Sequence, residues 1–140
     1  MALAQSADEP AKMPALMGGD FSTATSKLAA AKANSPAVKA FAELEIAEQA
    51  AVATAFGSEP GAAGIAPEKA AMLEQLEAAE GAEFDRLYVD GQIAGHRDLL
   101  EIHRTYARSG QDPMARGASL VGVTGIETHL FMLDNIKRQI

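Results

Sequence analysis

The chain contains no cysteine, which excludes disulfides, thiolate metal sites and cysteine catalysis. Aromatic residues make up only 5% of the 140 residues, so the core must be built from small and aliphatic side chains. Alanine is abundant, and it is the best helix former and is depleted in strands. The composition therefore favours closely approaching helices over a sheet.

Positive charge and long apolar runs are scarce as well. Twelve Lys and Arg residues stand against nineteen Asp and Glu residues, giving a net charge of −7. Because nucleic-acid binding needs clustered Lys and Arg, we expect no nucleic-acid partner. No apolar run approaches the roughly 18 residues of a membrane-spanning helix, so no transmembrane segment is predicted. The length is that of one domain with one core.

The N-terminal residues carry a clue to location. The triplet Ala2-Leu3-Ala4 has the small-x-small form of a signal-peptidase site, which predicts a periplasmic or secreted protein. The alternative is that this triplet arises by chance in an alanine-rich chain. Residues 1–18 contain Pro10 and Pro14 and are interpreted as a flexible lead that remains after signal-peptide removal, followed by a single bundle domain over 19–140.

Proline, glycine and capping residues divide the rest of the chain into helices. Ser35 and Asp112 each precede a proline, which is typical of a helix N-cap followed by proline at the first helical position. Asp20 is the predicted cap of the first helix. The predicted helices cover 20–33, 36–56, 67–79, 82–108 and 113–138, and no strand pattern appears. The sequence predicts an all-α fold, an up-and-down four-helix bundle with one extra short helix over 67–79.

Apolar residues at helical spacing define the expected core faces. They are Val38, Phe41, Leu44, Val52 and Phe56 on the second helix; Phe84, Tyr88, Leu99, Ile102 and Tyr106 on the third main helix; and Leu120, Val123, Ile126, Leu130, Leu133, Ile136 and Ile140 on the fourth. Gly91, Gly95, Gly122 and Gly125 predict close packing of the last two helices, or alternatively a kink.

Four polar residues lie on or beside these faces: Glu45, Glu48, His96 and His129. Buried carboxylates are costly unless they are paired or coordinated, and bundle cores hold metals between carboxylates and histidines of facing helices. We therefore predict a candidate metal site for iron, zinc or copper at His96, His129, Glu48 and Glu45, with Glu127 as a further candidate. The alternative is that the histidines only form hydrogen bonds with their neighbours.

The sequence contains few signals for catalytic or phosphate-binding sites. His103, seven residues after His96, is expected on the helix surface, as are the carboxylates of Asp85, Asp90 and Asp98. There is no G-x-S-x-G elbow, and "PGAAGIAPE" lacks the lysine of a phosphate-binding loop. The sequence therefore assigns no catalytic residue and leaves open whether the protein is an enzyme.

Three segments resemble the bacterial family known as the domain of unknown function DUF4142: "ANSPAVKAFAELEIAEQ", "GAEFDRLYVDGQIAGHRDLLEIH" and "ETHL". The resemblance implies an exported, ferritin-like four-helix bundle. It also implies five ligand-type positions: a Glu in the first helix, an Asp-His pair in the second, and one His in each of the last two main helices. His96 and His129 match the last two, whereas Glu48 replaces the Asp, Gln49 the His and Ser22 the Glu.

Three functions remain open. Because Ser22 and Gln49 replace ligand-type residues, the sequence favours a non-enzymatic exported bundle that acts on a partner or in the bacterial envelope. The alternatives are a metal-binding or oxidoreductase bundle with a site between helices, and a carrier of a small ligand. The sequence does not identify the protein or small-molecule partner, and a homo-oligomer is compatible with it.

Overall fold

The computed structural model describes residues 9–140. A short 3-10 turn at Pro10–Lys12 leads into five helices: α1 (Met13–Lys32), α2 (Pro36–Ala55), α3 (Pro67–Ala78), α4 (Gly81–Ser109) and α5 (Pro113–Gln139). No strand occurs in this described part of the chain. The all-α prediction, with four long helices and one short one, is confirmed.

The predicted N-caps of two helices are confirmed. The Ser35 side chain accepts a hydrogen bond from the backbone N–H of Val38 at the start of α2. The Asp112 carboxylate accepts one from the backbone N–H of Met114 at the start of α5, at 3.0 Å. Each cap satisfies a donor that the first helical turn leaves unpaired, and the proline that follows loses no helical hydrogen bond.

Two sets of contacts fix the direction of each long helix. At one end of the bundle, Lys12 Nζ donates to the carbonyl oxygen of Phe56 and to Asp112, so α1 begins where α2 ends and α5 begins. At the opposite end, Lys32 Nζ donates to the carbonyl oxygen of Ala79, so α1 ends where α4 begins. It follows that α2 and α4 run in one direction, and α1 and α5 run in the other.

The chain therefore does not alternate strictly between up and down. Residues 56–80, which include α3, carry it back along the bundle between α2 and α4. This crossover packs against α1 and α4 through α3. A long crossover of this kind distinguishes this arrangement from a strictly up-and-down bundle. The spacing of apolar residues within a helix carries no information on helix direction, so the sequence could not distinguish the two arrangements.

The first helix begins earlier than its capping pattern predicts. It includes residues 13–18, whose composition predicts a flexible lead, and residues 1–8 of that lead lie outside the described residues. Asp20 is not the cap of this helix. Its carboxylate lies inside α1 and accepts hydrogen bonds from the backbone N–H groups of Gly61, Ala63 and Gly64. Asp20 therefore holds the crossover against the bundle.

The expectation that Asp85 lies on a solvated face is wrong. Asp85 is only 2% exposed, and its two carboxylate oxygens accept hydrogen bonds from the backbone N–H groups of Asn34 and Ser35. Its position on α4 lets it satisfy free donors at the start of α2. Asp90 and Asp98 do lie at the surface, where they pair with Lys137 and Lys69.

The core consists of two apolar clusters at opposite ends of the bundle. One is built around Phe41, Phe84, Tyr88 and Leu133, and the other is built around Leu16, Phe56 and Tyr106. Two predicted core positions are wrong, since Leu44 and Leu120 are 54% and 61% exposed. The line of α5 that faces the core is Ala115, Ser119, Gly122, Ile126, His129, Leu133 and Ile136. Four of these seven residues are small or polar. The prediction followed the larger apolar side chains and therefore placed Leu120 in the core.

Among the described residues, none of the helices is both long enough and apolar enough to cross a membrane.

Candidate metal centre

A layer of polar side chains separates the two apolar clusters. It contains Ser22 from α1, Glu45 and Gln49 from α2, Gln92 and His96 from α4, and His129 from α5. All four long helices therefore contribute to it. Because these groups lie in the interior, each one needs a hydrogen-bond or charge partner there.

Glu45 is the centre of this layer, and it is fully buried. Its Oε1 atom accepts hydrogen bonds from Ser22 Oγ and Gln49 Nε2, each at 2.8 Å. Its Oε2 atom lies 3.2 Å from His96 Nε2 and 2.9 Å from His129 Nδ1. One oxygen is thus held by neutral donors, and the other is directed at two imidazole nitrogens.

The orientation of the His96 ring is fixed from the other side. His96 is 1% exposed, and its Nδ1 atom lies 2.8 Å from the backbone carbonyl oxygen of Gln92. A carbonyl oxygen can only accept, so Nδ1 carries the proton and donates it. In the neutral ring, Nε2 then presents a lone pair toward the carboxylate of Glu45. The 3.2 Å contact therefore requires either a second proton on Nε2, which an imidazolium donates to Oε2, or a cation beside the two atoms.

His129 lies between two carboxylates. Its Nδ1 atom is 2.9 Å from Glu45 Oε2 and 3.4 Å from His96 Nε2, and its Nε2 atom is 2.9 Å from Glu48 Oε2. Its side chain is 11% exposed and that of Glu48 is 29% exposed. The ring of Phe41 packs beside both histidines, with centroid distances of 5.9 Å to His96 and 5.2 Å to His129. Phe41 therefore gives both histidines an apolar neighbour, and His129 and Glu48 are the two residues of the cluster that reach solvent in part.

The carboxylates and His129 stabilise each other's charged forms. Burial opposes ionisation of Glu45, but the hydrogen bonds from His129 and His96 outweigh burial and hold the pKa of Glu45 well below its usual value. Burial likewise opposes protonation of His129, but its hydrogen bonds to Glu45 and Glu48 outweigh it and raise its pKa to about 9. Without a metal ion, His129 is therefore a buried imidazolium at neutral pH.

Three of these atoms form a small triangle: Glu45 Oε2, His96 Nε2 and His129 Nδ1. Its edges measure 2.9, 3.2 and 3.4 Å. A tetrahedral zinc ion with bonds of about 2.0–2.1 Å separates neighbouring ligand atoms by about 3.3 Å, and octahedral coordination at similar lengths separates them by about 3.0 Å. The three atoms are therefore spaced as ligands of one ion would be, with no movement of the helices required.

The structure brings the four predicted ligands into one network of contacts, but the four residues have different roles in it. Glu45, His96 and His129 each place one atom within 3.4 Å of the other two, whereas Glu48 contacts only the far nitrogen of His129. Glu127 lies outside the network, since it is exposed and pairs with Arg104. Glu48 would therefore orient a ligand rather than be one.

Gly125 on α5 makes room for Glu48. A Cβ atom at this position would lie 2.8 Å from Glu48 Oε1. The predicted packing of α4 on α5 at the glycines holds at Gly122, where a Cβ atom would lie 4.0 Å from His103 Nδ1 of α4. It is wrong at Gly125, which faces Glu48 of α2, and at Gly91, which faces Met72 of α3. A Cβ atom at Gly95 would meet no atom within 4 Å, so this glycine also makes no close helix contact.

His103 is buried, contrary to the prediction of an exposed side chain. It is 2% exposed, its Nδ1 atom lies 2.8 Å from Ser119 Oγ, and Phe56 packs edge-on against its ring. Burial lowers its pKa, so it is a neutral core residue. The adjacent Arg104 does reach the surface, and one helical step is enough to separate the two environments.

The sequence singled out Ser22 and Gln49 only as lost ligands. In the structure, both side chains are buried and both donate to Glu45 Oε1. The structure thus keeps both positions at the cluster with a different role. Their spacing from Phe21 and Glu45 could have placed them on inner helix faces. Whether such a side chain donates a hydrogen bond to Glu45 depends on how the neighbouring helices pack, which the sequence does not give.

Comparison with known proteins adds the family and nothing further. Residues 2–136 match the family described as Domain of unknown function (DUF4142). No curated protein and no solved structure matches the chain, so the ferritin-like fold stays an expectation drawn from the resemblance. Because the match covers nearly the whole chain, the protein belongs to the DUF4142 family.

Proposed function

We propose that the protein binds one divalent transition-metal ion through Glu45, His96 and His129. The observation that carries this proposal is the triangle of ligand atoms with edges of 2.9–3.4 Å, contributed by three different helices. A structural hydrogen-bond network needs neither three converging atoms nor a common point between them.

The groups behind the ligands support the proposal. Metal-binding histidines usually donate their second ring N–H to a carbonyl or carboxylate, which fixes the tautomer that binds. His96 does so to the carbonyl of Gln92, and His129 does so to the carboxylate of Glu48. The second oxygen of Glu45 is held by Ser22 and Gln49. Each proposed ligand is therefore oriented by a partner of its own.

The donor set indicates the class of metal. Two imidazole nitrogens and one carboxylate oxygen suit zinc, iron(II) or copper(II), whereas magnesium and calcium prefer oxygen donors alone. An ion would displace the proton of His129 from Nδ1, and metal sites commonly compete with protons in this way. Three protein ligands also leave at least one coordination position for water.

Because the proposed ligands are buried, the site is better suited to binding a metal ion than to converting a large substrate. Glu45 and His96 are at most 1% exposed, and neither of the two clefts described over residues 9–140 is lined by a ligand. We therefore propose a non-enzymatic metal-binding bundle. A periplasmic or secreted location, expected from Ala2-Leu3-Ala4 and from the family, is part of the same proposal.

The test is titration of chelator-treated protein with Zn²⁺ and with Co²⁺ by calorimetry. One ion per chain is expected, with a dissociation constant of about 1 μM or lower. Ligand variants His96→Ala, His129→Ala and Glu45→Gln should each lose at least about 100-fold in affinity. Co²⁺ should also give the visible absorption of a protein-bound ion.

His103→Ala is the matched control, because it removes a second buried histidine from the same helix and leaves all three ligands in place. Circular dichroism checks that each variant remains folded. The proposal is wrong if the parent protein binds neither ion, or if the ligand variants bind as well as His103→Ala does.

A second candidate function rests on a groove of about 670 Å³ between α1, α4 and the start of α3. Its interior is apolar and includes Met17, Phe21, Leu99 and Ile102. Pockets of this size and character hold small molecules. At its rim, Lys69 and Asp98 pair at 3.8 Å, which favours an uncharged apolar ligand.

Gly95 provides the test of this second function. It lines the groove, and a Cβ atom there would meet open space, so Gly95→Leu should fill the groove without disturbing the fold. The neutral fluorescent probe N-phenyl-1-naphthylamine should bind the parent and the exposed control Ala94→Leu, but bind Gly95→Leu at least about tenfold more weakly. Equal binding by all three proteins would exclude the groove as the ligand site.

A further inference from the structure

One face of the bundle has ten exposed positions without a charged side chain, although charged residues make up 22% of the chain. It consists of outward positions of α2 and α5, here called the α2–α5 strip. All ten positions are exposed: Ala40, Leu44, Ala47, Ala51 and Thr54 on α2, and Gly117, Val121, Thr124, Thr128 and Phe131 on α5. Their spacing of four and three residues places each set along one side of its helix.

The two halves of the strip are neighbours. Glu48 on α2 contacts Gly125 on α5, and the strip flanks both residues, since Leu44 and Ala51 lie one turn either side of Glu48. Val121 and Thr128 lie one turn either side of Gly125 in the same way. Because α2 and α5 run antiparallel, Leu44 and Phe131 lie near the same level of the bundle.

The polar atoms of the strip are turned inward. The hydroxyl groups of Thr54, Thr124 and Thr128 each donate to a carbonyl oxygen three or four residues earlier in the same helix. A threonine bonded in this way presents its methyl group outward. The strip is therefore more apolar than its sequence indicates, and large side chains remain exposed on it: Phe131 by 70%, Val121 by 72% and Leu44 by 54%.

A strip of this kind is self-complementary. Large side chains project from it at Leu44, Val121 and Phe131. Between them lie alanine and glycine positions, where the small side chains allow a second pair of helices to approach closely. A twofold axis brings the same patch of both copies together, so one surface must supply both projections and hollows. A partner of different shape would not require both on the same strip.

The size of the strip agrees with a second copy as well. Its 15-residue length on each helix, with side chains at the ends, covers about 30 Å, and two neighbouring helices are about 20 Å wide. Pairing would thus bury about 600 Å² on each copy, or about 1,200 Å² in total, which is the lower end of specific interfaces. Charged residues such as Glu43 and Glu127 border the strip and would form a polar rim.

Charge argues against a membrane as the occupant. Interfacial helices that bind lipid carry Lys and Arg beside their apolar face, whereas this chain has a net charge of −7 and a strip without any basic residue. Glu48 lies at the junction of the two halves of the strip and is no obstacle to a protein partner, because its carboxylate is paired with His129.

We propose that the α2–α5 strip is the interface of a homodimer, formed by isologous pairing with a second copy of this chain. The dimer is expected to be in dilution-dependent equilibrium with the monomer, with a dissociation constant in the micromolar range.

The experiment is sedimentation equilibrium of the full chain between about 1 and 500 μM, in chelator. The parent should show a monomer–dimer equilibrium, and Val121→Glu and Phe131→Glu should each raise the dissociation constant at least about 100-fold, since each would bury an unpaired carboxylate in the interface. Both side chains are exposed, so circular dichroism should be unchanged. Ala94→Glu is the matched control, since it adds the same charge to an exposed position on α4.

Three outcomes would overturn the proposal. The first is a parent protein that remains monomeric at 500 μM. The second is a dimer that Ala94→Glu weakens as much as Phe131→Glu does. The third is co-sedimentation of the monomer with phosphatidylcholine vesicles that Phe131→Glu abolishes, which would assign the strip to a lipid surface. Metal binding does not enter any of these measurements, so they are independent of the proposed metal centre.

Discussion

The Nε2 atom of His96 lies 3.2 Å from Oε2 of Glu45, across the bundle from α4 to α2. The opposite nitrogen of His96 is committed to the carbonyl oxygen of Gln92. Oε2 of Glu45 therefore needs a positive charge beside it, which is the imidazolium of His96 or His129, or a metal ion. This requirement makes Glu45 the most consequential residue of the cluster.

Replacement of Glu45 by glutamine should destabilise the metal-free protein by about 3–5 kcal/mol, because it leaves the buried charge of His129 with Glu48 as its only carboxylate. The measurement is urea denaturation in the presence of chelator. His129→Gln should be destabilising as well. The double variant Glu45→Gln/His129→Gln should lose less than the sum of the two, by at least about 1 kcal/mol, since the residues interact directly. Strict additivity would show that Glu45 and His129 are not an energetic pair.

Ser22→Ala should weaken metal binding while leaving the three ligands in place. The variant removes one of the two donors to Glu45 Oε1, so the carboxylate is less firmly oriented. Loss of an orienting partner typically costs a factor of about 10–100 in metal affinity. Calorimetric titration with Zn²⁺ measures this change, and Ser109→Ala serves as a control, because it removes a hydroxyl group that donates only to Thr105 at the C-terminal end of α4. Unchanged affinity in Ser22→Ala would mean that Gln49 alone holds the carboxylate.

Gly125→Ala and Gly117→Ala form a matched pair on one helix. A methyl group at 125 would lie 2.8 Å from Glu48 Oε1 and displace that carboxylate from His129, whereas one at 117 would meet no atom within 4 Å. Both changes should favour the helix by up to about 1 kcal/mol. Only Gly125→Ala should reduce Zn²⁺ affinity, by about tenfold or more. Equal affinity in the two variants would remove Glu48 from the metal centre.

Local signals predicted the helices well because capping and proline chemistry act over a few residues. Ser35 and Asp112 cap their own helices, and both were predicted from the proline that follows. Asp20 and Asp85 instead accept hydrogen bonds from backbone groups distant in sequence, and no local pattern marks that role. The direction of α4 likewise depends on a contact between residues far apart in sequence, that of Lys32 with Ala79, and no local pattern predicts it.

The candidate site was predictable as a set of residues but not as an arrangement. Helical spacing placed Glu45, Glu48, His96 and His129 on inner or nearly inner faces. It could not distinguish Glu45, which contacts both histidines, from Glu48, which contacts one. That difference depends on how α2 is rotated against α5, which Gly125 permits. His103 was misplaced because Ser119 and Phe56, its partners, come from other helices.

Asp112→Asn should separate the charge of this residue from its capping role, because asparagine also caps helices. The Asp112 carboxylate lies 2.7 Å from the buried Lys12 Nζ. Burial opposes its ionisation, but the hydrogen bond from Lys12 and those from the backbone of Met114 and Ala115 outweigh burial and lower its pKa. Removing one partner of a buried ion pair should cost about 3–5 kcal/mol at pH 7.

The pH dependence of that difference follows from its sign. A carboxyl group whose pKa is lowered by folding contributes stability above its unfolded pKa of 3.8, and this is lost as the pH falls through the folded value. The gap between parent and Asp112→Asn should therefore be constant from pH 7 to about pH 5 and shrink below about pH 4. Urea denaturation at each pH measures the gap. A gap that stays constant down to pH 2.5 would show that the charge of Asp112 is not what stabilises the fold.

Asp20→Ala should free the crossover while leaving the bundle folded. The carboxylate accepts hydrogen bonds from Gly61 at 2.7 Å, Ala63 at 3.0 Å and Gly64 at 2.8 Å, and the φ angles of the two glycines are +90° and +84°. Without the acceptor, these three backbone N–H groups return to water, so their amide hydrogens should exchange at least about tenfold faster. Hydrogen exchange followed by mass spectrometry measures this for residues 57–66, with amides of α5 as the internal reference. Asp20→Asn, which keeps one acceptor oxygen, should give an intermediate rate. If 57–66 and α5 accelerate equally in Asp20→Ala, the carboxylate stabilises the whole bundle and not the crossover alone.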